Sequence, residues 1–590
     1  MMTADEVEAH VREGKALTRQ MLEGLDLSGR QLSGANFTGA ILAHVSFARA
    51  NLSGSDFGGS VLRSCTFTGA RLDGANLSGA RGIGIDATGA HLQGAKLCGA
   101  TLTRTRLENA DLTGADLTRA TLVESQAAGA KFFKANLTET HLDKANLLAA
   151  DLSETAMFGT TLCGAALAGA VLRRAVIQKA VLAEANLQQA DFGDATVDTV
   201  TFTGANLRGA ILPRTLTGAI FDLAKLRTGD GEWVEWAGDA APSDRVDLEG
   251  AVLTNVSLGG VDLRGANLRG VKLDGVNLQS CDLQGADLTG ATLERCLLVG
   301  AVLRGLNLSG MTLTMLTLKD ADLTGADLSG ATLERAILDG ANLQGANLTH
   351  TLFKQCSLRG ARLEGAVVRK TAFHRSILNE VDLSKLPLKG LSIAMCVLMS
   401  AKLTGMDLEG CDFTDSNFDS ADLARAKLRG ATLTRAKFPR ANLDGVDAQG
   451  VQAKAAFFAD ASLRRANFAK AKLRNATFAR ANLEHADLSG CDLRESPMTK
   501  MEATGASFKG ARMGFSDLSH SNLEDADLSH ADLKQATLHA IRDKGTRGGP
   551  FAGANGTNDD RREAELWKRP ALNAERRAPL IKEPGPWEDF

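Results

Sequence analysis

From Leu27 to Leu212 a large apolar residue returns at every fifth position, and after one break the same beat runs from Leu248 to Leu538. A period of five fits neither the 3.6-residue repeat of a helix nor the two-residue repeat of a strand. The unit reads small, polar, large, polar, often Gly, as in Ala115-Asp116-Leu117-Thr118-Arg119 and Ala286-Asp287-Leu288-Thr289-Gly290. In extended chain, residues two apart face the same way, so the Ala and the Leu both point inward. Five is odd, so each unit must end in a corner. Gly is frequent at the last position, but Arg435, Arg440, Arg465 and Arg480 also stand there. The expectation is therefore that the corner does not demand positive φ everywhere.

The phenylalanines give the number of sides. Phe418, Phe438, Phe458 and Phe478 are spaced by 20, as are Phe353 and Phe373, Phe37 and Phe57, and Phe47 and Phe67. Twenty residues are four units, so like residues stack in a four-sided coil, and the four phenylalanines from 418 to 478 form a core stack. One Leu or Phe from each side, with Ala between, fills such a coil without any other core.

The pattern A(D/N)LXX across residues 25 to 540 resembles the pentapeptide repeat family. The resemblance implies an all-β solenoid, a right-handed quadrilateral β-helix. The first array holds 38 units and the second 59, together about 24 coils at four units each. Gly82, Ala87, Ala127, Ala448, Ala453 and Ala503 stand at central positions; they predict thin places filled from neighbouring coils.

Five segments follow. Residues 1–24 hold an N-terminal helix and cap, in which Thr3 and Glu6 have capping-box spacing and Val7 and Val11 share a face. Residues 25–212 are the first array. In the bridge and insertion loop, 213–245, the step from 212 to 248 is 36, one more than seven fives. Leu216, Phe221 and Leu226 keep a partial coil there, and TGDGEWVEWAGDAAPSDR leaves the pattern. That loop either seals the seam between arrays or offers Trp233 and Trp236 to a partner. Residues 246–540 form the second array. The Gly/Pro-rich tail, 541–590, has helical character from Asn558 to Arg569 and carries Trp567, Trp587 and Phe590; it reads as a cap or as a docking peptide.

Charge and chemistry narrow the function. Lys and Arg number 67 against 70 Asp and Glu. The two ends and the bridge hold 17 of the cations and 20 of the anions, which leaves 50 of each sign in the arrays. A neutral surface copies DNA poorly and binds phosphate poorly as a whole. Residues 421–480 carry a net charge of +9 spread over all four sides, a solvated belt more than a groove for a strand. Seven of the nine cysteines (Cys65, Cys281, Cys296, Cys356, Cys396, Cys411, Cys491) take the place of the inward Ala, and Cys98 and Cys163 follow a central residue. His520 and His539 come nearest to a metal pair, without an evident third ligand. The sequence thus assigns no catalytic, cofactor or metal residues and reads as a non-enzyme.

No apolar run spans a bilayer, and the acidic start is unlike a signal peptide, which points to cytoplasmic synthesis and to signal-peptide-independent export if there is any. The lead-in EVEAHVREGKALTRQMLEGLDLSG resembles segments that precede pentapeptide arrays in type VI secretion-associated proteins. It implies an accessory or adaptor scaffold whose partner is a protein: a secretion spike, an adaptor or an effector. The family also includes secreted effectors or cargo and DNA-mimic topoisomerase inhibitors; the neutral charge and the length speak against the last, and no nucleic acid is expected. The oligomeric state is left open.

Overall fold

A computed structural model of the chain describes residues 2–224, 226, 246–549, 551–557 and 559–566. Trp233, Trp236, Trp567, Trp587 and Phe590 lie outside the described residues. The chain forms two units, Met1–Leu403 with Cys411–Asn417, and Thr404–Gly410 with Phe418–Phe590. Both are parallel β-solenoids of the quadrilateral type, in which, away from the seam, the residue before a central residue pairs with the residue 20 further on, as Asp116 with Asn136 in the first unit and Asn442 with Ser462 in the second.

The consensus unit is explained by its five backbone N–H groups. In Ala115–Arg119, the Ala115 N–H closes a turn onto Leu112 O at 3.0 Å, and the Asp116 N–H reaches back one coil to Ala95 O at 2.9 Å. Leu117 and Arg119 donate forward one coil, to Asn136 O at 2.8 Å and Thr138 O at 2.9 Å. Only the Thr118 N–H has no backbone partner, and Asp116 Oδ1 accepts it at 3.0 Å. Buried backbone donors must be satisfied, so the Asp or Asn before the central residue completes the account. Asparagine adds a rung between coils: Asn76 Nδ2 donates to Asp56 Oδ1 at 2.9 Å, and Asn442 Nδ2 to Asp422 Oδ1 at the same distance.

The corners correct one expectation. Arg435, Arg440, Arg465 and Arg480 adopt φ of 55°, 56°, 56° and 59°, in the same left-handed region as Gly114 at 65°. Positive φ at the third of four turn residues, with the turn closed by a hydrogen bond such as Ala120 N–H to Leu117 O at 2.8 Å, has the pattern of a type II turn. A non-Gly residue there costs about 1–2 kcal/mol. It is held because its own N–H and the flanking residues are bonded to adjacent coils, so the lattice fixes the conformation whichever residue arrives.

Two ladders widen into sheets, both in the first unit. Strands β1 (Met21–Glu23), β2 (Ile41–Ala43), β3 (Val61–Arg63), β4 (Arg81–Ile83) and β5 (Thr101–Thr103) stack on one side of the coil. A second sheet of 12 strands starts with β6 (Ala156–Phe158), β7 (Val176–Gln178), β8 (Thr196–Asp198), β9 (Thr215–Thr217) and β10 (Val252–Thr254) and ends at Ser392–Ala394. Ala156 pairs with Asn136, so this sheet continues the side before that of β5. None of these strands begins with Asp or Asn; Ile41, Val61, Thr101, Val176, Thr196 and Val252 stand in that place. Loss of the side-chain acceptor that draws the chain into a turn favours the extended form, and β-branched residues add to that preference, although units with Thr121, Val171 and Val181 in the same place still turn.

The core is a set of side-chain columns. Phe418, Phe438, Phe458 and Phe478 stack with ring centroids 4.8, 5.1 and 5.0 Å apart. In the first unit Phe37 lies over Phe57 and Phe47 over Phe67, each pair at 4.9 Å. The gap at Gly82 is filled from within its own coil: a Cβ at Gly82 would meet Ile85 Cδ1 at 2.4 Å, because Ile85 stands where Ala is usual. A small void of about 30 Å³ remains nearby, lined by Ile85, Ala87 and surrounding leucines.

Helix α1 (Ala4–Arg12) covers the first coil. Thr3 Oγ1 accepts from the Glu6 N–H, Glu6 Oε2 accepts from the Thr3 N–H, and Val7 is fully buried. Arg30 ties the helix down through Asp5 at 2.7 Å and Glu8 at 2.8 Å. After the second unit's last coil the chain turns into helix α2 (Asp559–Leu566).

Candidate interaction surface

The departure from a uniform wall lies at the bridge, and strand pairing resolves it into two events. Leu216 pairs with Val197, 19 residues earlier, so one residue has been removed from a coil. Leu253 in turn pairs with Leu216, 37 residues earlier, which is 17 more than a coil. The shortened corner holds Pro213, which is buried and has no N–H to satisfy. The added residues fall between Leu226 and Leu248, where a five-residue step is expected. Leu216, Phe221 and Leu226 therefore belong to a coil in register with both neighbours, and the apparent shift of phase is a deletion and an insertion within that one coil.

Among the described residues, the ladder on one side of the wall is interrupted at the seam. Asp191 pairs with Ile211 before the seam and Asp247 with Asn267 after it. Between Ile211 and Asp247 lies a cavity of about 710 Å³ lined by Leu207, Leu212, Pro213, Arg214, Leu226 and Val246 among others. Apolar surface gathers on the same coil, with Ile211 55 % and Leu223 69 % exposed. Nearby, Asp222 holds the adjoining side closed by accepting from Ser257 Oγ and from the Gly259 N–H at 2.9 Å.

Elsewhere the wall also exposes single apolar residues, such as Ile83 at 67 % and Phe515 at 62 %, and part of its charge is paired between coils. In the basic stretch Arg429 meets Asp447 at 2.6 Å, Arg440 meets Asp419 at 2.5 Å, Arg464 meets Glu484 at 3.1 Å and Arg480 meets Asp460 at 2.6 Å. Exposed pairs of this kind add little stability, but they join one coil to the next and mute the local positive potential. The seven inward cysteines are buried and none is in a disulfide. Burial pushes the thiols of Cys281, Cys396 and Cys491 up to about 12 and those of Cys296 and Cys356 up to about 11. Such thiols are poor nucleophiles at neutral pH.

The fold brings together two residues the sequence left without a third partner. His520 and His539 lie on one side of adjacent coils, and Glu565 of α2 reaches both imidazoles. The only sequence signal was a carboxylate in the tail helix, and nothing in the repeat says where that helix lands. The stack from Phe418 to Phe478 is interior and presents no surface.

Models of pentapeptide repeats match residues 22–227, 244–279, 281–314, 318–355, 456–494 and 504–539, and a pentapeptide repeat region matches 371–448. The chain belongs to the pentapeptide repeat family. Solved relatives include HetL of the cyanobacterium Nostoc, a pentapeptide repeat protein involved in heterocyst differentiation regulation, at 29% identity over 51% of this chain and 97% of that chain, with a TM-score of 0.21. A trypsin-treated variant of QnrB1, a plasmid-mediated fluoroquinolone resistance protein, is 22% identical over 30% of this chain and 86% of its own, with a TM-score of 0.17. A pentapeptide repeat protein of the Arabidopsis thaliana thylakoid lumen is 25% identical over 22% and 71%, with a TM-score of 0.08. No curated protein matches the chain. Among the described residues of this pentapeptide repeat protein, no helix is long and apolar enough to cross a membrane.

Proposed function

We propose that this pentapeptide repeat protein is a non-catalytic scaffold that holds a protein partner at the seam. The observation that carries this reading is the cavity of about 710 Å³ between Ile211 and Asp247, where the ladder is interrupted among the described residues and which is lined by both polar and apolar groups. Concave, partly apolar surfaces are where partners gain most from burial. Trp233 and Trp236 belong by sequence to the segment joining Leu226 to Val246, both of which line the cavity, and they are the proposed aromatic contacts. Trp567, Trp587 and Phe590 are proposed as a second contact in the tail. The finer reading, an accessory or adaptor for a type VI secretion spike or effector, is supported by the resemblance of residues 6–29.

The test is affinity capture with partner identification by mass spectrometry. The intact protein is compared with a chain truncated after Ala540 and with the Trp233→Ala, Trp236→Ala double variant. Loss of a secretion spike or effector protein from either variant supports the reading, whereas equal recovery from all three overturns both contact sites. Appearance of the protein itself in the medium of secreting cells would assign it to cargo instead.

A further inference from the structure

His520, His539 and Glu565 converge at the end of the second unit. His520 is a corner residue with φ of 63°, and His539 follows the central residue of the unit stacked on it. The His520 N–H donates to His539 O at 2.8 Å, which fixes the two backbones against each other. The rings meet edge to face, with centroids 5.2 Å apart. Glu565 Oε2 lies 3.0 Å from His520 Nε2 and 3.1 Å from His539 Nε2, and the three atoms all fall within 4.8 Å of one another.

Two features separate this cluster from a surface ion pair. The first is burial: residues that follow a central Leu ordinarily sit at the wall, yet the His539 side chain is only 1 % exposed, while His520 keeps 31 % and Glu565 36 %. One imidazole is thus sunk beneath the cluster, and the other two groups leave it an opening to solvent. The second is direction. Both imidazoles present the same nitrogen, Nε2, to a single carboxylate oxygen. Two neutral imidazoles and a carboxylate are the donor set of open, three-ligand zinc sites, with metal–ligand bonds near 2.0–2.1 Å and thus donor atoms about 3.3 Å apart in a tetrahedron. The two separations to Glu565 are a few tenths of an ångström short of that, so an ion would enter with a small outward shift of a side chain on a short surface helix.

We propose that His520, His539 and Glu565 form a binding site for a divalent transition-metal ion of the zinc class, which clamps α2 onto the last coil. Such a clamp suits its position. The end of a parallel solenoid presents an unpaired rung of N–H and C=O groups, which natural sheets cover to avoid edge-to-edge association. Here the ion joins a His from each of two adjacent coils to the element that covers them, and water completes its coordination. The site is independent of the seam.

The experiment uses the full chain, stripped with a chelator and then titrated with zinc alone against a chromophoric competitor, with cobalt as a spectroscopic stand-in. The expected result is one zinc per chain, cobalt absorption in the visible range of tetrahedral or five-coordinate type, and a zinc-dependent rise in Tm. His520→Ala, His539→Ala and Glu565→Gln should each weaken zinc binding by at least about tenfold. Glu565→Gln alters only the covering helix, so circular dichroism of that variant separates ligand loss from misfolding. Zinc bound equally by the Glu565→Gln and His520→Ala variants, or no saturable binding by the native chain, would overturn the proposal. A chelator-insensitive Tm together with no zinc uptake would instead mark a direct hydrogen-bonded cap.

Discussion

Phe202 and Phe221 stack ring on ring, 4.7 Å apart and within 8° of parallel, although 19 residues separate them where stacked pairs such as Phe37–Phe57, Phe353–Phe373 and Phe418–Phe438 are separated by 20. The spacing of the rings matches that of Phe418 and Phe438 at 4.8 Å. A coil one residue short still delivers its phenylalanine to the column, because the loss is absorbed in the Pro213 corner and not on the inward face. Core register is the conserved quantity along the solenoid, and chain length between columns is adjustable.

The aromatic columns should therefore carry much of the stability. Phe458 is fully buried between Phe438 and Phe478, and Phe458→Ala should cost about 3–5 kcal/mol through lost burial and the cavity left behind. Phe221→Ala, with one stacked partner, should fall in the same range. Urea unfolding checks both, and a change near zero for Phe458→Ala would contradict the packing described above.

Gly82 tests whether neighbouring residues compensate within a coil. Its missing side chain is replaced by Ile85, and an added Cβ would also approach Leu62 O at 2.8 Å. Gly82→Ala should destabilise by about 1–3 kcal/mol as overpacking. Adding Ile85→Ala to a Gly82→Leu change restores the usual arrangement and should recover most of the loss. Additive costs in that double-mutant cycle would show that the two sites are not coupled.

The corners predict changes of opposite sign for one chemical exchange. Gly114 has φ of 65° and open space around an added Cβ, so Gly114→Ala tests conformation alone and should cost about 1–2 kcal/mol. Ala149 already sits at φ of 52°, and Ala149→Gly should be stabilising. Matched denaturation curves for the two variants decide this; a destabilised Ala149→Gly would mean that backbone entropy outweighs the relief of strain.

Carboxylates that complete the corners set the response to acid. Hydrogen bonds from the Thr289, Ser384 and Ser529 side chains first, and from the same residues' backbone N–H groups second, hold Asp287, Asp382 and Asp527 below their usual range. A carboxyl whose pKa is lower when folded contributes stability that is fully present above its unfolded value and is lost as pH falls through the folded one. Tm should thus be flat near neutrality and decline below about pH 4. Replacing these residues by Asn keeps the acceptor but removes the titration, so the triple variant should show a shallower decline in the same scan.

The sequence by itself determined the coil. A strict beat of five places the inward residues, 20-residue Phe spacing gives four sides, and both are legible because each unit solves its own packing in the same way as the next. It misread the corners at Arg435, Arg440, Arg465 and Arg480, since φ there is imposed by hydrogen bonds to adjacent coils and overrides the residue's own preference. The strand-forming sides carried a signal in the absence of Asp or Asn before Leu42, Leu62 and Ile177, but its meaning depends on knowing which N–H lacks a partner. Only the tertiary structure decided how the bridge divides into a deletion at Pro213 and an insertion after Leu226, because pairing across coils, not sequence spacing, defines register. It alone placed Glu565 beside His520 and His539: a helix outside the repeat has no periodicity to report where it docks, and its position is set by long-range contacts with the coil end.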